Sequence, residues 1–242
     1  MVEFIPAESL KSQFNVFGHF YSVRVAPRTV IECRSVLELI EKSRTPAELS
    51  EVTRRTPDAV IIMMNPGSSE PLVEVDNQLR SQEIHQLAVS LVPTKPDTTQ
   101  YQVMRVMRCC GWRHVRVLNL SDLRCAQSAT FFKQFKQLEQ DHSFDAHSLF
   151  ADRRARELAA KLPEGIPVIR AWGVSPSLEP LIERCLAKIK HVRQVGGLLK
   201  EGTENKYLHP LPSLQSQKIE WTNRMVEQCR AKFLRRRAQG GS

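Results

Sequence analysis

The stretch from Ala59 to Met64 constrains the fold more than any other, because six apolar residues follow one another without alternation. A strand with one face in water alternates apolar and polar residues. An unbroken run of this length points instead to a strand buried on both faces, as in a parallel sheet covered by helices. The run stops at Asn65-Pro66-Gly67. Pro66 has no N–H to extend a ladder, and Gly67 reaches backbone angles closed to other residues. A polar side chain, Asn65, therefore stands where a central strand ends. In open α/β sheets ligands bind beyond that end. Asn, Pro and Gly are also ordinary turn residues, so the rest of the chain has to decide between the two readings.

Three more strand candidates follow. Val115 to Leu120 ends in the polar group Asn119-Leu120-Ser121-Asp122, Ile166 to Ala171 ends at Trp172-Gly173, and His191 to Leu199 is marked by Gly196-Gly197. Helices are expected between them. Asp97 with Gln100 three residues on forms a capping box. Val103, Val106, Met107 and Cys110 continue at helical spacing, and Gly111 is a stop signal. Residues 128–139, 148–162 and 178–189 read as further helices, and a last one spans 215–237. Strand and helix thus alternate four times. The expected fold is a three-layer α/β/α sandwich with a central, mainly parallel four-stranded sheet. It occupies residues 57–242. Residues 1–56 read as an N-terminal extension packed on that core, with a strand or hairpin over 14–25 and a short helix carrying Val36, Leu37, Leu39 and Ile40. Residues 68–97 are polar and proline-punctuated. A loop of that length inside a compact domain is often functional, although its acids read as solvated surface.

Charge and cysteine usage narrow the partners. The net charge is +9, which favours polyanions such as DNA without specifying one. Six cysteines with no C-x-x-C pair give no zinc or disulfide framework, so reduced thiols in a cytoplasmic protein are the expectation. There is no basic leader and no apolar run near the roughly 20 residues of a membrane helix. No Gly-x-Gly-x-x-Gly or Walker Gly-Lys-Ser/Thr is present. No metal or cofactor is expected.

Polar residues recur at strand ends: Asn65 after the first, Asn119 at the second, and His209 just past the fourth. Singly, each has an ordinary explanation, and Trp172 reads as core packing. In this order they resemble the uracil-DNA glycosylase superfamily. Met64-Asn65-Pro66-Gly67 is similar to the Asn-Pro-Gly motif of its mismatch-specific branch, and Leu118-Asn119-Leu120 to the Asn of its second strand. Ala171-Trp172-Gly173 is similar to the Trp-Gly that ends the third strand, and His209-Pro210-Leu211-Pro212 to the His-Pro-Ser-Pro after the fourth. The likeness covers roughly residues 57–237. Leu211 stands where that family has Ser, Asn65 where its fastest branch has Asp, and the stretch after Gly67 is longer. The same landmarks also resemble a bacterial domain family with no assigned activity.

The resemblance implies a DNA glycosylase that excises a damaged, mismatched or modified pyrimidine and leaves an abasic site. A bulky modified base of phage DNA, and hence a role in defence, would suit the long insertion. Asn65 is expected to hold the attacking water through its amide oxygen and His209 to donate to a carbonyl of the departing base. Asn65→Asp is expected to retain activity or even raise it, since a carboxylate could stabilise the cationic sugar and orient the water. Pro66, Gly67 and Asn119 would line the base pocket, with Asn119 reading the edge of a flipped base. Lys206 and Arg235, Arg236 and Arg237 would hold phosphates, and Leu211 and Leu214 would fill the gap left in the duplex or pack under the last helix. Two other functions fit the same fold: an enzyme cleaving free nucleotides or nucleosides, and a nucleic-acid-binding module without catalysis.

Overall fold

The computed structural model describes residues 4–234. Its strands are β1 (Phe14–Ala26), β2 (Thr29–Glu41), β3 (Ala59–Met63), β4 (Gln78–Arg80), β5 (Val92–Pro93), β6 (His114–Asn119), β7 (Val168–Arg170) and β8 (Val195–Gly196). They form one sheet in the order β4-β1-β2-β6-β3-β7-β8, with β5 also paired to β1. The neighbours β6, β3, β7 and β8 are mutually parallel and fall on the four stretches expected from the apolar runs, although β7 pairs over three residues only and β8 over two of the nine from 191 to 199. The sheet has eight strands rather than four, because the N-terminal segment and the 68–97 stretch supply the others. Residues 1–56 contribute β1 and β2, and β2 pairs antiparallel with β6.

The segment around Leu37 is a strand and not the short helix expected from its spacing. Val36 and Ile40 pack into one core layer and Leu37 and Leu39 into the other. A strand buried on both faces shows apolar residues in adjacent pairs, and pairs separated by one polar residue imitate helical spacing over so short a window. Glu38, the polar residue between the pairs, lies opposite Arg116 of β6.

The helices are α1 (Ala7–Gln13), α2 (Ser50–Arg54), α3 (Thr98–Cys110), α4 (Ser128–Gln140), α5 (Ala155–Lys161), α6 (Glu179–Lys188) and α7 (Gln215–Cys229), the last continuing through a wider turn to Leu234. Buried residues of α1, α3 and α7 join Ala59, Ile61 and Met63 on one face of the sheet. Those of α2, α4, α5 and α6 join Val60 and Ile62 on the other. The result is the three-layer α/β/α sandwich. All five β3 side chains are at most 5% exposed, and burying each of its Val and Ile side chains contributes roughly 1.5–3 kcal/mol. α3 carries the expected capping box, with Gln100 N–H on Asp97 Oδ1 at 2.9 Å, and ends at Gly111 with φ 67°. α5 starts seven residues later than the expected 148. Short 3₁₀ turns precede it, because Arg154 turns inward to meet Asp122 at 2.6 Å instead of continuing a helical surface.

Gly197, just beyond β8, has φ 134°, and a Cβ there would sit 2.4 Å from the Arg170 carbonyl and 2.7 Å from the Tyr207 ring. Gly197→Ala is therefore expected to destabilise the fold by about 2 kcal/mol or more, through backbone strain and overpacking together. Denaturant titration checks this, and a midpoint equal to the parent's would show that the strand end can shift to make room.

Candidate functional site

The connections from β3 and β6 leave the sheet on opposite faces, β3 leading to α3 and β6 to α4. Between them a crevice opens beyond the carboxyl ends of the two strands, as it does at the switch point of a doubly wound sheet. A cavity of about 550 Å³ lies there, within the range of small-ligand pockets. Asn65, Pro66, Gly67, His209 and Leu211 all line it. Residues 144 positions apart in the chain are thus brought to one rim, as their places after separate strands suggested.

Asn65 is held by its surroundings. Its Nδ2 donates to the carbonyls of Leu123, at 3.1 Å, and Cys125, at 2.7 Å. Both partners only accept, so the amide nitrogen must face them and Oδ1 is left as the atom that can serve a ligand or water. The turn supporting it is fixed by Leu120 and Ser121, whose N–H groups donate to the Met63 and Met64 carbonyls. Gly67 adopts φ 63°, the left-handed conformation anticipated for it.

His209 reaches the cavity because residues just before it are clipped to two strand ends. Tyr207 bridges to Gly173 and Leu199, and Leu208 N–H donates to the Leu198 carbonyl. The backbone N–H of Leu211 donates to His209 Nδ1 at 3.2 Å. That bond makes Nδ1 the acceptor and puts the proton of the neutral ring on Nε2. Desolvation lowers the imidazole pKa to about 4, so the ring is neutral at physiological pH and presents one N–H donor. The ¹⁵N NMR signals of His209 are expected to report the Nε2–H tautomer from pH 8 to pH 5 and to titrate near pH 4. A midpoint near 6.5 would show that the ring is not desolvated.

The remaining candidate residues fall into different places. Asn119 is fully buried and does not line the cavity. Its amide, oriented to satisfy both ends, donates to the Asn65 carbonyl and accepts from Arg34 Nη2, each at 3.2 Å. It therefore positions other residues rather than reading a ligand edge. Trp172 is fully buried in the core, as its packing reading expected, and also walls the cavity. Its indole donates to the Asn205 carbonyl at 2.8 Å. Leu211 is at the cavity mouth, and Leu214, 60% exposed at the start of α7, does not pack beneath that helix. Lys206 lies away from the cavity lining, with its backbone carbonyl bonded to Lys200 N–H. Arg235, Arg236 and Arg237 lie outside the described residues.

Phe132 and Arg34 are two of the lining residues that were not anticipated. Phe132 of α4 offers an aromatic wall. The adjacent Phe131-Phe132 pair was the available signal, since a helix can turn only one of two neighbours fully to the core. Arg34 of β2 is 3% exposed, and its Nε and Nη1 have no hydrogen-bond partner. Nothing local marks it, because it belongs to a segment with no recognisable motif. Among the described residues, no cluster of three or more His, Cys, Asp or Glu side chains is placed to hold a metal ion, and no helix is long and apolar enough to cross a membrane.

In comparisons with known proteins, the chain matches no family model, no curated protein and no solved structure.

Proposed function

We propose that the chain is a DNA glycosylase that hydrolyses the N-glycosidic bond of a damaged, mismatched or modified pyrimidine and leaves an abasic site. The observation that carries this reading is the convergence of Asn65 and His209 on one cavity, each with its free atom fixed. Asn65 presents an acceptor, because both its N–H directions are taken. His209 presents a donor, because its Nδ1 already accepts. Cleavage of an N-glycosidic bond needs that polarity. The bonding pair leaves with the base, the base carbonyl gains negative charge, and the sugar becomes cation-like. Nε2–H of His209 stabilises the carbonyl oxygen as charge develops, and Oδ1 of Asn65 holds the water that closes on the sugar carbon. The water's hydroxyl ends on the sugar and its proton on the departed base.

Access to a duplex requires the base to leave the stack, which a pocket of this size at a sheet edge accommodates. Trp172 and Phe132 supply aromatic walls, and the exposed Leu211 in the cavity lining is the side chain that an apolar wedge into the vacated step would use, with Leu214 three residues on and also exposed. The excess of basic residues favours the polyanion. Duplex and single-stranded DNA carrying uracil, mismatched thymine or bulky modified pyrimidines should be incubated with the protein and then treated with alkali. Strand breaks at one class of base are expected. Binding without breaks on all of them would favour a non-catalytic nucleic-acid module. Release of base from nucleosides alone would favour the free-nucleoside enzyme. A role in defence against phage with modified DNA follows only if the bulky modified bases are the ones removed.

A further inference from the structure

Arg34 is the most unusual group in the cavity wall. A buried guanidinium is ordinarily paired or fully hydrogen-bonded, because its desolvation is costly. Here only Nη2 has a partner, the Asn119 amide at 3.2 Å. Nε and Nη1 are buried without partners. Nε–H lies on the edge shared with Nη2 and Nη1 lies on the Cδ side, so the two unpaired nitrogens are separate single donors, each suited to one oxygen of a carboxylate or phosphate.

The charges around it do not complete the site. Asp97 and Asp122 lie near enough to favour the cation, but neither is within ion-pair distance of it. Asp122 holds Arg154 at 2.6 Å and accepts from the Tyr21 hydroxyl at 2.8 Å, both through Oδ2, while its Oδ1 is buried without a partner and is not hydrogen-bonded to Arg34. Asp97 caps α3 through Gln100 N–H. Arg124 is near enough to add positive charge. Burial lowers the Arg34 pKa only to about 10, so the side chain stays charged. The first turn of the 13-residue α3, Thr98 to Gln100, lines the same cavity and adds the positive end of a helix.

We propose that Arg34 is an oxyanion receptor: it takes a carboxylate or phosphate oxygen of the ligand, and the cavity thereby selects an anionic ligand over its neutral analogue. This concerns what the cavity holds and not which bond is cleaved, so it stands apart from the glycosylase reading.

Calorimetric titration of the full chain with matched ligands tests it without any turnover. The probes are uracil against uracil-6-carboxylate, uridine against uridine 5′-monophosphate, and inorganic phosphate alone. In at least one pair the anionic member is expected to bind ten-fold tighter or more. The pair that shows the preference identifies the oxyanion as a group on the base or a phosphate. Arg34→Met is expected to bring both members of that pair within about two-fold, and Arg34→Lys to keep part of the preference. Asp97→Asn retains a capping side chain while removing the competing negative charge, so it is expected to tighten the anionic ligand several-fold. Thermal melting of each variant establishes that it is folded. No preference in either pair, or a preference that survives Arg34→Met in a folded protein, overturns the proposal. Phosphate bound with equal affinity by the parent and Arg34→Met would mean that phosphate sits elsewhere and that phosphate is not the group Arg34 receives.

Discussion

Asn65→Ala is expected to lower single-turnover release of base by about a hundred-fold or more while leaving folding and DNA affinity near the parent's. The magnitude is that of removing one preorganised polar contact at a reacting centre. The direction follows from where the contact acts. Oδ1 of Asn65 is held in place by two carbonyls that bind the other end of the amide, so in the proposed reaction it would meet the water already oriented. A contact of that kind matters mainly in the transition state, and its loss appears in turnover before it appears in binding. Base released at the parental rate would reduce Asn65 to a turn residue. Asn65→Asp, which the side chain considered alone would tolerate, is expected to be impaired as well. A carboxylate oxygen would replace the amide nitrogen that now faces the carbonyls of Leu123, at 3.1 Å, and Cys125, at 2.7 Å. Repulsion there would turn the side chain or keep it protonated. Activity at or above the parental level in Asn65→Asp would show that the turn relaxes enough to relieve the clash.

Arg116→Met is expected to destabilise the fold by about 3–5 kcal/mol, the cost of stranding a buried charge. Arg116 and Glu38 are each 1% exposed, opposite one another on β6 and β2, with Nε to Oε1 at 2.6 Å. Glu38 also meets the His114 ring at 2.7 Å, and Arg116 donates to the Lys161 carbonyl at 3.0 Å. The pair ties the antiparallel β1–β2 ribbon to the parallel half of the sheet. A loss of that size is a large fraction of a typical domain's 5–15 kcal/mol. Replacing both partners, as Glu38→Leu with Arg116→Met, is expected to recover much of the loss because no unpaired charge remains. Urea titration of the two single variants and the double variant measures this. A double variant no more stable than the singles would mean that the pair's packing, and not its charge balance, holds the two halves together.

The sequence by itself determined the elements whose character is local. Ala59 to Met63 is a strand buried on both faces because no residue in it tolerates water. α3 begins at Asp97 and stops at Gly111 because a capping side chain and a left-handed glycine act within four residues of their partners. The four parallel strands and the rim carrying Asn65 and His209 followed from the order of such elements. Only the tertiary structure decided what depends on a partner far along the chain. Val36 to Ile40 could not be told from a helix until Glu38 met Arg116, 78 positions away. Asn119, polar and at a strand end, looked like a ligand-reading residue until the fold enclosed it between Asn65 and Arg34. Arg34 became part of the cavity because β2 pairs with β6 at the centre of the sheet. Apolar periodicity records which side chains avoid water. It carries no record of which polar groups meet across the sheet, and the chemistry of this cavity rests on those meetings.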